Sequence, residues 1–164
     1  MNNQHYLEQE IVDNDSLKTL IRAVTRSQGD FSLILARCNS RTLQNRIVKQ
    51  LRKQCPVEIR EVSLEQSANT LYTTITKKVG LEQPRALMVS SLESVSALDP
   101  LLIATNQVRE EFRKFSCPLV LWVTDEVLQR LIRLVPDFES WATSVEFVKP
   151  APKSAHYDKL KSVA

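Results

Sequence analysis

Cys38-Asn39-Ser40-Arg41-Thr42 is the segment with the most chemical promise. It follows an apolar run at 31–37 and opens a helix pattern, the place where an α/β protein seats a phosphate. Backbone N–H groups reach a pyrophosphate only where no Cβ intervenes, so such a turn carries glycines and, for phosphoryl chemistry, a lysine. The chain has two glycines, Gly29 and Gly80, and neither lies in this turn. No lysine opens the helix that follows. Thr42 has the hydroxyl a magnesium ion would take, but phosphoryl transfer also needs an acid at the end of a neighbouring strand. The apolar run at 86–89 ends instead in Ser90-Ser91, with Glu93 displaced into the loop. We expect a nucleotide-type architecture without its nucleotide site, with no cofactor and no catalytic residue.

Other reactive groupings are incomplete. The two histidines, His5 and His156, lie in the two tails, so a Cys–His or Ser–His arrangement would need one of them folded onto the sheet. Cys38 sits where a helix N-terminus can lower a thiol pKa. The plainer reading is a small side chain packed where the strand leaves the core, and we adopt it. Cys38 with Glu93 is the least incomplete enzyme pair. Three cysteines at wide spacing, Cys38, Cys55 and Cys117, supply neither a zinc set nor a disulfide framework. They suit a reducing, cytoplasmic setting. No metal is expected, and no stretch is apolar enough for a membrane span.

Charge offers a different chemistry. Residues 31–60 hold Arg37, Arg41, Arg46, Lys49, Arg52, Lys53 and Arg60 against the single acid Glu58. Arg46, Lys49 and Lys53 recur at i, i+3, i+7, a basic stripe opposite Leu43, Ile47 and Leu51. With Arg41 and Arg52 beside it, this is the candidate basic interaction face, for nucleic acid or an acidic partner. A solvated helix face is the plainer alternative, and no aromatic side chains interleave to stack on bases. Arg109 is a candidate partner-facing residue on a helix where Glu110 and Lys114 form an i, i+4 pair.

These residues are positioned by alternating elements. The chain has 164 residues, 43% hydrophobic and 25% charged, with a net charge of +3, the profile of one soluble domain. Residues 1–15 read as a polar segment, 16–148 as a single α/β domain and 149–164 as a tail or linker. The pattern predicts helices at 17–27 (capped by Ser16), 41–54 (capped by Ser40 or Asn39), 68–79 (capped by Ser67 and closed by Gly80), 99–115 and 125–135. It predicts strands at 31–37, 57–64, 86–89, 118–123 and 144–148. Phe138 and Trp141, after Pro136, read as anchors pinning a turn, with Asp137 as its cap. Alternation implies three layers: a mainly parallel five-stranded sheet with helices on both faces.

Asn106 to Phe112, Pro118-Leu119-Val120-Leu121-Trp122, and Pro136-Asp137-Phe138 with Ser140-Trp141 together resemble a domain at the front of cyanobacterial repeat-containing signalling proteins. That domain is similar to STAND-type or AAA-like P-loop NTPases followed by TPR or WD repeats. The likeness spans about residues 31–148. It implies P-loop NTPase-like topology, with Thr124 near the nucleotide edge. Active members place Gly-Lys-Ser/Thr where this chain has Cys38 to Thr42 and an acid where it has Ser90, and often a basic residue where Ala142 follows Trp141. The resemblance implies a non-catalytic interaction or regulatory module in a signalling or defence assembly, with a protein partner or downstream repeat domain. A nucleic-acid binder using Arg46, Lys49 and Lys53 is the alternative.

Overall fold

The computed structural model describes residues 14–148. His5, His156, most of the polar N-terminal segment and the tail at 149–164 lie outside the described residues. Element order is α1 (Asn14–Arg26), β1 (Ser32–Cys38), α2 (Arg41–Gln54), β2 (Arg60–Ser63), α3 (Leu71–Val79), β3 (Leu87–Ser90), α4 (Leu98–Gln107), β4 (Pro118–Val123), α5 (Asp125–Leu134), α6 (Pro136–Glu139) and β5 (Ala142–Phe147). Short 3₁₀ turns occupy Leu92–Ser94 and Arg109–Phe115.

All strand pairs are parallel, in the order β2-β3-β4-β1-β5. Successive side chains of β1 point to opposite faces and join separate cores. Ile34, Ala36 and Cys38 pack with Leu17, Leu20 and Val24 of α1 and Leu43, Ile47 and Leu51 of α2. Leu33 and Leu35 pack with α3, α4, α5 and α6 on the other face. The result is the three-layer α/β arrangement expected from the sequence, a five-stranded all-parallel sheet of Rossmann- or P-loop-like kind with helices on both faces. The crossover from β1 travels toward the β2 edge, whereas every later crossover travels back. A right-handed connection therefore puts α2 on one face and the remaining crossover helices on the other.

Several boundaries differ from the sequence pattern. The first helix begins at Asn14, ahead of Ser16, with Asp15 in its first turn where a carboxylate suits the helix dipole. The third helix is capped at Thr70, not Ser67. The Ser96 N–H donates to the Gln66 carbonyl at 3.0 Å, which ties this loop to the segment after β3 and delays the helix.

The helix expected through 115 stops at Gln107 and becomes 3₁₀. In a 3₁₀ turn, residues three apart eclipse. Phe112 and Phe115 thus meet edge to face on one side with ring centroids 5.8 Å apart. The same geometry replaces the expected Glu110–Lys114 pair by Arg113–Glu110 and Lys114–Glu111, both i, i+3. The strand expected over 57–64 pairs only from Arg60 to Ser63, because β3 beside it is four residues long. The last strand starts at Ala142, earlier than its apolar alternation, because Leu33 of β1 still pairs with it there.

Candidate functional site

In open parallel sheets the ligand crevice forms beyond the carboxyl ends of strands, between neighbours whose connections leave to opposite faces. Here those neighbours are β1 and β4. The loop after β1 supplies Asn39 and Ser40; the turn after β4 supplies Thr124 and Asp125. Helices α2 and α5 begin at this point and aim their N-terminal amides at it.

Those amides are engaged by the chain itself. Ser40 adopts extended backbone at the N-cap of α2, and its Oγ accepts from the Leu43 N–H at 3.2 Å. Thr124 does the same for α5, its Oγ1 accepting from the Val127 N–H at 3.2 Å. Across the crevice, the Asn39 Oδ1 accepts from the Asp125 N–H at 2.8 Å. Arg37, the last outward side chain of β1, donates through Nε to the Asp125 carboxylate. Its other arm lies 3.4 Å from Glu146 of β5. The Arg37 hydrogen bond, then that of Asn39, pulls the Asp125 carboxyl below its usual range. Asp125 in turn raises the Arg37 guanidinium. A hollow of about 440 Å³ remains beside these groups, bounded by Ser40, Glu146 and Phe147.

Arg41 reaches the other way, over the ends of β2 and β3. Both terminal nitrogens lie 3.4 Å from the Ser91 hydroxyl, and one lies 3.7 Å from Glu93. Ser91 is buried, is in the left-handed region at φ 73°, and lies 3.2 Å from the Ser63 hydroxyl. The Ser90 hydroxyl points toward Glu61 of β2 at 3.5 Å, and Glu61 accepts from Arg52 at 2.7 Å. The edge thus carries guanidinium–carboxylate pairs and hydroxyls. The Ser90 hydroxyl on the Glu61 carboxylate is at the 3.5 Å limit of hydrogen-bond reach, and Arg52 holds that same carboxylate at 2.7 Å.

The basic residues of α2 are distributed unevenly. Arg41 and Arg52 meet Glu93 and Glu61, Arg46 is half-buried, and Lys49 and Lys53 are exposed. Arg109 is half-buried and donates to the Asn106 carbonyl at 2.8 Å, closing the end of α4. Cys38 is buried, and burial pushes its thiol up rather than down. Cys117 is likewise raised, to about 11. Among the described residues no three His, Cys, Asp or Glu side chains converge to hold a metal ion, and no helix is long and apolar enough to cross a membrane.

Residue spacing did not bring out the Arg37–Asp125–Asn39 contact, whose members lie 86 and 88 positions apart. A signal was present: Arg37 is the one charge in the apolar β1 run, and Asp125 opens the helix after β4. No family model matches the chain, and no curated protein matches it either.

Proposed function

We propose that the chain is a non-catalytic, NTPase-like interaction module of a signalling or defence assembly, binding a protein partner such as a downstream repeat domain. The reading keeps the likeness to STAND- and AAA-like domains for the fold and drops their chemistry. The observation that carries it is the bridged crevice: Asn39 and Arg37 occupy Asp125 across the β1–β4 switch point, and Ser40 and Thr124 occupy helix amides that a phosphate would need. A triphosphate would have to break these bonds without a glycine or lysine to replace them.

The test is thermal unfolding with magnesium and ATP. A ligand at 100 times its dissociation constant adds about 2.7 kcal/mol. For a chain of this length that is a rise of roughly 5–10 °C in Tm. No rise is expected, and a clear rise overturns the proposal. The nucleic-acid alternative draws support from Lys49 and Lys53 alone as exposed cations of the α2 stripe, since Arg41 and Arg52 already face carboxylates.

A further inference from the structure

The amino-terminal edge of the sheet, opposite the crevice, gathers residues that nothing above uses. Phe31 leads into β1, Arg85 precedes β3, Ser116 precedes β4 and Trp141 precedes β5, and parallel strands bring all four to one edge. Aromatic side chains meet there. Phe112 and Phe138 are buried; Phe31, Tyr72, Phe115 and Trp141 are half-exposed around them. Ring centroids lie 6.4 Å apart for Phe31–Trp141 and 5.4 Å apart for Tyr72–Phe115, and Phe112 touches both pairs. One hollow of about 520 Å³ opens beside Phe31, Arg113 and Trp141, and another of about 530 Å³ beside Tyr72, Arg85 and Phe115. They share Gly29 and Ser116, so they form one groove along the edge.

The charges on this groove select its occupant. The Arg113 guanidinium lies 4.5 Å from the Trp141 ring centroid and pairs with Glu110 at 3.2 Å. Lys114 is bonded to Glu111. Asp30 and Glu82 line the same groove. Arg85 is exposed, and its guanidinium has no ion pair among the described residues. Leu81, fully exposed, stands on the rim. A nucleic-acid strand needs uncompensated cations along its path, and only one is present. Half-buried Trp and Tyr beside Arg is instead the composition in which protein interfaces concentrate their energy.

We infer that this groove docks an extended segment of a protein partner, seating an apolar or aromatic side chain against the Trp141 to Phe115 aromatic floor and a carboxylate on Arg85. The inference rests on the reading that the protein works by association, and it names the surface and the partner chemistry.

The test uses the full chain to select from a displayed library of random peptides, with affinities then measured by fluorescence anisotropy. Recovered peptides should carry Asp or Glu close to Phe, Leu or Trp. They should bind Arg85→Glu and Leu81→Ser about tenfold more weakly, as expected when an interface anchor is lost, and Lys49→Glu like the parent. Both groove sites are exposed, so these variants should keep the fold, which circular dichroism checks. Peptides indifferent to Arg85→Glu and Leu81→Ser, or no shared motif at all, overturn the inference. So does oligothymidylate binding that Arg85→Glu abolishes, which would give the groove to nucleic acid. ATP binding would overturn the proposed function without altering the peptide result, so the two failures are distinguishable.

Discussion

At the scale of residues, Asp125 is where electrostatics can be read directly. Its pKa in the folded chain is depressed, chiefly by Arg37 and then by Asn39. A depressed carboxyl stabilises the fold above its unfolded pKa and loses that contribution as pH falls through the folded value. Arg37→Gln should therefore move the Asp125 titration up toward the ordinary range and flatten the acid limb of stability. Asn39→Ala should move it less. Carbon-13 NMR titration of the Asp125 carboxyl measures both, and an unmoved midpoint in Arg37→Gln would refute the contact.

The thiols give a second expectation. Cys38 and Cys117 are buried and raised, so at pH 8 a thiol reagent should label half-buried Cys55 first. Mass-spectrometric mapping of the modified cysteine decides it, and rapid labelling of Cys38 would revive the reactive-thiol reading. The sequence showed that Cys38 leaves a strand and that Ser40 or Asn39 caps a helix, because both are local; the structure puts the cap at Ser40. It was silent on Arg41 reaching Ser91, since that contact depends on how β1 and β3 are placed in the sheet.

At the scale of elements, the 3₁₀ segment Arg109–Phe115 shows what periodicity misses. Helical spacing paired Glu110 with Lys114, but the burial of Phe112 among four other rings goes with the tighter turn, in which the charges pair at i, i+3 instead. The segment closes at Ser116, exposed and left-handed at φ 52°. Glycine meets no steric penalty there, whereas a β-branched side chain does. Ser116→Gly should stabilise the protein by about 0.5–1 kcal/mol and Ser116→Val should destabilise it by more. Urea unfolding of the pair checks the sign. Strands 31–37, 86–89 and 118–123 were legible because strands covered on both faces read as continuous apolar runs. The edge strands were legible in existence but not in their bounds, since β2 is cut to the length of its neighbour and β5 exposes Thr143, Ser144 and Glu146.

At the scale of the whole molecule, β4 joins the two cores. Leu121 packs with the α3–α6 side while Trp122, one residue on, packs with α1 and α2. Leu121→Ala should cost about 2–5 kcal/mol, the range for a truncated core leucine, read from the shift in urea midpoint. Alternation alone was enough to foresee three layers. It could not reveal that the hollows with aromatic floors lie at the amino edge, because the residues lining them come from four inter-element segments together with α3 and the start of β1.

The strand order has a consequence for biosynthesis. β1 and β2 are made early but stand three places apart, and the strand that links their halves, β4, is made next to last. A nascent chain halted before Pro118 holds β2 beside β3 on one hand and a solitary β1 on the other, with no hydrogen-bonding ladder joining them. A ribosome-released product of that length should lack native protection and be sensitive to proteases, and protection should arise only once β4 and the α5 and α6 side chains that cover it, through Phe138, have emerged.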